Sequence, residues 1–454
     1  MNIRLVRRAR VAAVAVVVST MMVGGGILAG TGAANAAPCG NGGTGSTGSL
    51  GSTGSLGSGS AGSGSLGTGS GSSSNPNTGP QGNLPIYRGP STNTVAWITG
   101  PKSPDQTFSR FGISGTDLGI SWDNGSGQTL MAFGDTFGDC AVAGQQWRHN
   151  VLLRSTDDDF TDGVSVPDAV PGDPRSGSVV GADAPNFATQ LIPAIGVSQV
   201  EVTTIPTTAI SLPDGDGGYT QYMNYMSVRS WGDAGHWVTN FSAIAYSTDN
   251  GQTWATDPNT ILINAPVTLA LPGALREVTY NNGKFQQSAY FRGHGADAGY
   301  IYQLGTPNGR FGAAFLARFA PGDIRNLENY EYWTGSGAGR GWKRDITAIP
   351  DDGSAQILPP PVTEASVSWS PYLNKYMMLD GDNGIRLRTA DHPEGPWSAP
   401  TYLVPPVAVV LYGPMIQPHS PAILGTGKDL YFNASRWSDY NVMLLHSDLS
   451  KIPH

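Results

Sequence analysis

Short runs of apolar and aromatic residues, without the spacing of long amphipathic helices, organise the chain beyond residue 95. Segments rich in glycine, asparagine, aspartate and proline separate these runs, and the 454 residues include 62 glycines and 33 prolines. This alternation is typical of β-strands joined by turns. The clearest runs lie at 118–122, 129–133, 151–155, 221–228, 243–247, 367–369 and 376–379. The pattern therefore predicts an all-β protein.

A recurring turn sequence indicates how the strands are grouped. Residues 247–254 read S-T-D-N-G-Q-T-W, which fits the Asp-box hairpin, and degenerate copies occur at 155–160 and 389–397. In such a hairpin the aspartate accepts hydrogen bonds from turn amides and the glycine supplies a positive φ. If these turns end blades, the chain divides into five units, near 110–165, 185–260, 275–335, 360–403 and 408–450. We predict a five-bladed β-propeller, with a six-bladed propeller as the alternative.

The N-terminal residues have the features of a signal peptide. Four arginines precede an apolar run at 11–28, and the small residues that follow end in Ala34-Asn35-Ala36. We predict cleavage after Ala36, so that residues 1–36 are the signal peptide and no membrane insertion remains. Residues 37–82 are rich in glycine, serine and threonine, which predicts a disordered linker. The catalytic propeller is expected at 83–454, secreted and associated with the cell envelope.

Charge and motif content exclude several classes of protein. Without the signal peptide the chain has 22 basic and 34 acidic residues, a formal net charge of −12, which argues against nucleic acid as a partner. The two cysteines, Cys39 and Cys140, are too few to build the scaffold. Metalloprotease, nucleophile-elbow and cysteine metal-binding motifs are absent. We expect no catalytic metal and no cofactor; the one ion that we allow for is a structural calcium ion. The oligomeric state stays open.

Three carboxylic acids occupy positions expected to face the funnel of a propeller. Asp117, between glycines at 115 and 119, opens the first strand of the first unit, and Asp135 ends the neighbouring strand. Glu364 opens the fourth unit, across the ring. Glycoside hydrolysis needs one carboxyl group that protonates the leaving oxygen and a second that activates water or attacks directly. A cluster of acids can hold one proton near neutral pH. We therefore predict paired catalytic carboxylates among Asp117, Glu364 and Asp135.

Aromatic and planar polar side chains are candidates for contacting a sugar. The two histidines among them lie in turn-like sequences, which we place where a strand enters the funnel. The candidate substrate-binding residues are Trp147, Arg148, Arg310, Tyr222, His294 and His419.

Seven short motifs are spread over the chain from about residue 95 to 450. They are G-T-D-L-G at 115–119, F-G-D-T-F-G at 133–138, W-R-H-N-V-L at 147–152, G-T-P-N-G-R at 305–310, Y-E-Y-W at 330–333, T-E-A-S-V at 363–367 and G-P-W at 395–397. In these motifs the chain resembles glycoside hydrolase family 183, formerly domain of unknown function 4185, of mycobacteria and related actinobacteria. The resemblance implies a five-bladed propeller and endo-D-arabinanase activity on the α-linked D-arabinofuranose chains of arabinogalactan and lipoarabinomannan. By motif position, Asp117 is similar to the family's essential first-blade carboxylate, and Glu364 and Asp135 compete as its partner.

Two other functions remain open at this level. Another propeller glycosidase, including a sialidase-like enzyme, shares the fold and the Asp box, although a sialidase would need an arginine triplet and a tyrosine nucleophile. A non-catalytic glycan-binding or cell-wall scaffold propeller would tolerate loss of the acids. Cell-wall arabinan is the partner that the resemblance favours.

Overall fold

The computed structural model describes residues 78–79, 81–195, 197, 199–264, 266–270, 277–281, 283–381 and 383–453. The predicted signal peptide and nearly all of the predicted linker lie outside the described residues. Gln81, one residue before the expected end of that linker, is buried; its Nε2 donates to the Thr99 carbonyl, and its Oε1 accepts from the Lys102 amide.

Antiparallel strands are the main regular structure of the described chain. The first is β1 (Thr92–Trp97). The others are β2 (Leu118–Asp123), β3 (Thr129–Phe133), β4 (Val151–Ser155), β5 (Val180–Gly181), β6 (Ala184–Ala188), β7 (Thr203–Pro213), β8 (Tyr219–Trp231), β9 (Trp237–Ser247), β10 (Ala255–Ile263), β11 (Pro266–Ala270), β12 (Glu277–Asn281), β13 (Gln287–Arg292), β14 (Ile301–Thr306), β15 (Gly312–Phe319), β16 (Glu331–Trp333), β17 (Trp342–Lys343), β18 (Leu358–Val362), β19 (Ser366–Ser370), β20 (Lys375–Asp380), β21 (Ile385–Ala390), β22 (Thr401–Val404), β23 (Leu411–Ile416), β24 (Asp429–Arg436) and β25 (Asn441–Asp448).

Helical structure is confined to short segments in the described residues. The two α-helices are α1 (Thr107–Phe111) and α2 (Pro421–Leu424). The 3₁₀ turns are Ala143–Gln146, Gly283–Phe285, Gly295–Asp297, Pro321–Asp323, Leu327–Asn329, Ile346–Ala348 and Leu449–Lys451. None of the helices in the described part of the chain combines the length and the apolar character that a bilayer crossing requires.

Five sheets form the blades of a propeller. In order along the chain they are β2 to β4, β7 to β10, β13 to β17 with β18 alongside β15, β19 to β22, and β23 to β25 with β1. The innermost strands β2, β7, β13, β19 and β23 contact one another in a closed ring. This arrangement confirms the five-bladed prediction and excludes the six-bladed alternative.

Apolar packing between blades holds the ring together. In the described residues, five buried apolar clusters each lie between two neighbouring blades. The Asp-box hairpin contributes to one of them: Asp249 accepts hydrogen bonds from the Thr253 amide and hydroxyl, Gly251 has φ 81°, and Trp254 packs among the buried residues. Because the blades pack face to face, each blade depends on both of its neighbours.

The fifth blade is completed from the other end of the chain. Strand β1 pairs antiparallel with β25, so the outermost strand of the last blade precedes the first blade in sequence. The unit predicted at 408–450 therefore lacks β1, its outermost strand. Cys140, in the segment after β3, is disulfide-bonded, and Cys39 lies outside the described residues.

Trp97→Ala should test whether β1 stabilises the protein by closing the ring of blades. Trp97 is 3% exposed and belongs to the cluster between the fourth and fifth blades, so its truncation is expected to lower the free energy of unfolding by about 3–5 kcal/mol. Tyr402→Ala, at a site 49% exposed, is the control and should lower it by less than ~1 kcal/mol. Chemical denaturation measures both, and equal losses would contradict the closing role.

Candidate active site

The three predicted acids lie together at one mouth of the ring. Asp117 precedes β2 directly, Glu364 lies two residues before β19, and Asp135 follows β3, which runs back along β2. The negative charge of Glu364 acts on Asp117, and that of Asp117 acts on Asp135. Residues from three separate stretches of sequence therefore form one electrostatic unit.

Asp117 lies in a desolvated position between two tyrosines. The Tyr412 hydroxyl donates to Oδ2 at 2.9 Å, and a hydrogen bond from the buried Tyr440 also lowers the pKa of this carboxyl group. A Cβ at position 134 would lie 2.4 Å from Oδ1, so Gly134 leaves the space that this carboxyl group fills. Burial raises the pKa of Asp117 to about 7, although the Tyr412 hydrogen bond acts in the opposite direction. The charge of Glu364 raises the pKa of Asp117 further, and Arg310 lowers it.

The backbone that carries Asp117 is strained. Leu118 has φ 68° and Gly119 has φ 69°, and the left-handed region costs a residue with a Cβ about 1–2 kcal/mol. The Leu118 amide donates to Oγ of Ser435 at 2.7 Å, and the Asp117 carbonyl accepts from the amides of Gly119 and Gly134. These bonds hold the unusual turn and with it the direction of the carboxyl group.

Asp135 has two hydrogen-bond partners on one oxygen. Its Oδ1 accepts from Nε1 of Trp147 at 3.1 Å and is hydrogen-bonded to Oγ1 of Thr203 at 2.5 Å. Burial raises the pKa of Asp135 to about 7, and the Thr203 bond opposes this shift. The charge of Asp117 raises the pKa of Asp135, and the bond from Trp147 lowers it.

Glu364 is engaged in a buried ion pair. Nε of Arg310 donates to both carboxylate oxygens at 3.1 and 3.0 Å, and Nη2 donates to Oε1 at 2.7 Å. The guanidinium also lies 4.6 Å from the ring centre of Trp437 and 4.8 Å from that of Tyr412. Arg310 therefore engages both oxygens of Glu364. Asp135 differs in this respect, because its Oδ1 bonds the neutral side chains of Trp147 and Thr203.

The segment Trp147-Arg148-His149-Asn150 alternates between the mouth and the protein interior. Trp147 and His149 face the mouth, with ring centres 4.4 Å apart. Asn150 bonds Thr204 on the interior side. The guanidinium of Arg148 likewise points inward and donates to the backbone carbonyls of residues 111, 112 and 188. The expected contact of Arg148 with sugar hydroxyls is therefore corrected: this arginine supports the loops behind the site.

Three further candidate binding residues lie towards the opposite end of the ring. His294 follows β13 and stacks on Trp369 at 3.9 Å, and His419 follows β23, where its Nδ1 lies 3.0 Å from Oγ1 of Thr129. Tyr222, opposite Ile210 in the β7–β8 pairing, packs against the cluster between the second and third blades. The innermost strands of the five blades run in the same direction. A residue that follows one of these strands therefore lies at the opposite end of the ring from a residue that precedes one. The predicted grouping of these three with the acids is thereby corrected.

Several residues of the mouth were not identified from the sequence. Tyr412 lies within β23, and Thr203 is the first residue of β7; neither has a sequence motif that marks it. Tyr440 is buried beside both aspartates, and their charges raise its pKa further above the ordinary value than burial alone. His149 could have been identified from the sequence. Residues two apart in an extended segment lie on the same side, and Trp147 was already a candidate binding residue.

Two exposed aromatic side chains lie close to residues of the site. Trp147 is 37% exposed beside Asp135. Phe311, next in sequence to Arg310, is 50% exposed and stacks on the His236 ring at 4.5 Å. Flat apolar faces of this kind suit a sugar ring. No group of three or more His, Cys, Asp or Glu suited to a metal ion occurs in the described ranges, and the structural calcium ion stays a prediction.

The fold and the site define a five-bladed propeller protein with a coupled carboxyl pair at one mouth. The chain matches the family described as Domain of unknown function (DUF4185) over residues 102–446, and it belongs to that family.

Two curated relatives and one solved structure are among the similar proteins. Notoamide biosynthesis cluster protein J of Aspergillus sp. (strain MF297-2) is 27% identical over 72% of this chain and 81% of its own length. Protein J' of Aspergillus versicolor is 28% identical, with 72% and 82% covered. The catalytic domain of the Coprinopsis cinerea GH62 α-L-arabinofuranosidase is 12% identical, with a TM-score of 0.42 over 80% of this chain and 98% of that one.

Asp117→Asn and Asp135→Asn should each stabilise the protein at alkaline pH. A carboxyl group with a pKa of about 7 when folded and 3.8 when exposed binds more protons in the native state between those values. The native state therefore loses stability as pH rises through this window, and a neutral amide escapes the loss. We expect the Tm difference between variant and parent to grow from pH 4 to pH 8. Asp183→Asn, in an exposed turn, should show no such growth; a constant difference for the site variants would refute the prediction.

Proposed function

We propose that this protein is a secreted glycoside hydrolase that cleaves α-D-arabinofuranosyl linkages within mycobacterial arabinan. The observation that carries the proposal is the coupled pair of Asp117 and Asp135, two neighbouring carboxyl groups whose pKa values are both raised to about 7. Such a pair can hold a proton and a negative charge at neutral pH, which glycoside hydrolysis requires.

In this proposal Asp135 is the general acid. Its proton passes to the glycosidic oxygen, the bond from that oxygen to the anomeric carbon breaks, and the bonding electrons stay on the oxygen. The carboxylate that remains is stabilised by Trp147 and Thr203, which are already in contact with Oδ1. Asp117 acts as the carboxylate on the opposite side, where it activates water or attacks the anomeric carbon.

The Glu364–Arg310 pair and Tyr412 prepare Asp117 for this role. Tyr412 donates a hydrogen bond that stabilises the charged form of Asp117, and Arg310 stabilises the same form electrostatically. Glu364 opposes ionisation of Asp117 while holding the guanidinium in place. These opposing effects keep the pKa of Asp117 near the working pH, where proton exchange is most effective.

The substrate class is supported by resemblance and by the shape of the mouth. The motifs shared with glycoside hydrolase family 183 include the acids at 117, 135 and 364. The exposed aromatic faces of Trp147 and Phe311 suit contact with a sugar chain. A sialidase-like function is not supported, because Arg148 bonds backbone carbonyls and Arg310 pairs with Glu364. Export is supported by residues 1–36 alone.

Loss of either aspartate should abolish release of oligosaccharides. The purified protein incubated with arabinogalactan is expected to release arabino-oligosaccharides, and Asp117→Asn and Asp135→Asn should reduce kcat by about 10²–10⁴-fold. Chromatography of the products measures this. Asp391→Asn, on an exposed turn where it pairs with Lys375, is the control and should retain activity.

Three outcomes of that experiment would redirect the assignment. Release from another polysaccharide but not from arabinan would indicate a different propeller glycosidase. Retained glycan binding without release, in the parent and both variants, would favour the scaffold function. Full activity of Asp135→Asn with an inactive Glu364→Gln would restore Glu364 as the partner of Asp117.

Phe311→Ala should weaken the use of long chains. The exposed ring offers a stacking face away from the acids, and loss of about 1 kcal/mol of stacking should raise KM for long arabinan roughly 5-fold with little change in kcat. Short oligosaccharides should be cleaved as before. Tyr402→Ala, which removes an exposed aromatic ring on strand β22 of the fourth blade, is the control; an equal effect there would refute a binding role for Phe311.

A further inference from the structure

The loop 437–440, which joins β24 to β25, is bonded to a residue near the N-terminal end of the described chain. The Gly82 amide donates to Oδ1 of Asp439 at 2.6 Å. Asp439 is 5% exposed, and its Oδ2 forms an ion pair with Nη1 of Arg436 at 2.6 Å. A Cβ at position 82 would lie 3.0 Å from Oδ1, so glycine permits this close approach. The buried carboxylate therefore fixes the N-terminal segment to the loop.

Gln81 reaches the same loop by a second route. The Gln81 side chain is buried, and its Nε2 donates to the Thr99 carbonyl at 2.9 Å. The Thr99 hydroxyl donates to Oδ1 of Asn441 at 2.9 Å, and Nδ2 of Asn441 donates to the Asp439 carbonyl at 3.0 Å. Gln81 and Gly82 therefore both lead to Asp439 by hydrogen bonds, and we call these two residues the N-terminal anchor.

The same loop carries two aromatic side chains to the mouth. Trp437 stacks on Tyr412, with ring centres 4.1 Å apart, and Tyr412 donates to Asp117. Tyr440 is buried and hydrogen-bonds Asp117 directly. The Tyr440 carbonyl accepts from the amide of Thr116, the residue before Asp117, at 2.8 Å. Because Tyr440 has φ 48°, a left-handed conformation, its backbone depends on the surrounding contacts.

We infer that the N-terminal anchor is a positioning element of the active site: through Asp439 it holds Tyr440 against Asp117. This inference depends on the proposed role of Asp117 as the reacting carboxylate. Gly82 fixes the Asp439 side chain, so Tyr440, the next residue, keeps its left-handed conformation. Gln81, Gly82 and Asp439 touch no reacting atom. Without the anchor the loop relaxes, and the Tyr440 hydroxyl leaves Asp117.

The contribution of Tyr440 to Asp117 can be separated from those of the other groups. Burial is the largest influence on the pKa of Asp117 and raises it, whereas the hydrogen bond from Tyr440 lowers it. Loss of that bond should therefore raise the pKa further. The other ionisable groups that act on Asp117 come from elements outside the 437–440 loop. They are Tyr412 in β23, Glu364 before β19, Arg310 before β15 and Asp135 after β3.

The test follows the titration of Asp117 in the purified protein. Carbon-13 NMR of labelled aspartate carboxyl groups, with Asp117→Asn used to assign the signal, reports this pKa directly. Tyr440→Phe removes the hydroxyl and should raise the midpoint by roughly 0.5 pH unit. Gly82→Ala places a Cβ against Asp439, and Gln81→Ala removes the second route to it, so both should shift the midpoint in the same direction. Gly82→Ala combined with Tyr440→Phe should give the midpoint of Tyr440→Phe alone, because the anchor acts through that hydroxyl.

Asn83→Ala is the matched control within the same segment. It removes an exposed hydrogen bond from Nζ of Lys102 and should leave the midpoint of Asp117 at the parent value. Ser370→Ala is the control for a loss of stability alone, because it removes a buried hydrogen bond to the Ala422 carbonyl at the opposite end of the ring.

Two results would overturn the inference. The first is that Gly82→Ala and Gln81→Ala behave as Ser370→Ala does, with a lower Tm and an unchanged midpoint for Asp117, which would make the anchor only structural. The second is a shift opposite in direction to that of Tyr440→Phe.

Activity measurements separate this inference from the proposed function. If the parent releases arabino-oligosaccharides, Gly82→Ala should lower kcat by ~10-fold at neutral pH and move the acid limb of its pH profile to higher pH, because Asp117 reacts as a carboxylate. If no polysaccharide is cleaved, the NMR shifts still support the anchor. Unchanged midpoints in an enzyme that does release products reject the anchor and leave the proposed function standing.

Discussion

Closure of the ring is the constraint on which the rest of the structure depends. Each blade buries one face against each of two neighbours, and the five apolar clusters of the described residues lie in these gaps. An open ring would expose two of those faces. Pairing of β1 with β25 joins the two ends of the domain within the last blade, and Trp97 anchors that pairing in the core. The mouth keeps its shape because the ring cannot open.

That closed ring is what allows acids to be held close together against their mutual repulsion. The strained turn at Leu118 and the buried Glu364–Arg310 pair hold charged groups in positions that a flexible surface would relax. The raised pKa values of Asp117 and Asp135 are a direct consequence of this enforced desolvation. Stability and the chemistry that we propose are therefore opposed at the mouth. The burial that raises the pKa of both acids costs the fold stability as the pH rises from 3.8 to about 7.

The prediction of the fold succeeded where local signals were strong. Runs at 118–122, 129–133 and 376–379 all lie in strands, and the Asp box adopts its hairpin because its hydrogen bonds are local. Strand β1 was missed because its pairing partner is some 350 residues away, and no local pattern records such a pairing. His294 and His419 were placed at the wrong mouth because a turn sequence does not show whether a strand is beginning or ending there.

The sequence by itself determined the strand periodicity, the five units, the family and the acids that gather at the mouth. These properties follow from local alternation, turn chemistry and short motifs. Only the tertiary structure showed that Arg310 pairs with Glu364, that Arg148 faces inward, and that Thr203 bonds Asp135. Those relations depend on distances of a few ångström between side chains from different blades. Packing around the closed ring fixes these distances, and no single segment of the chain determines that packing.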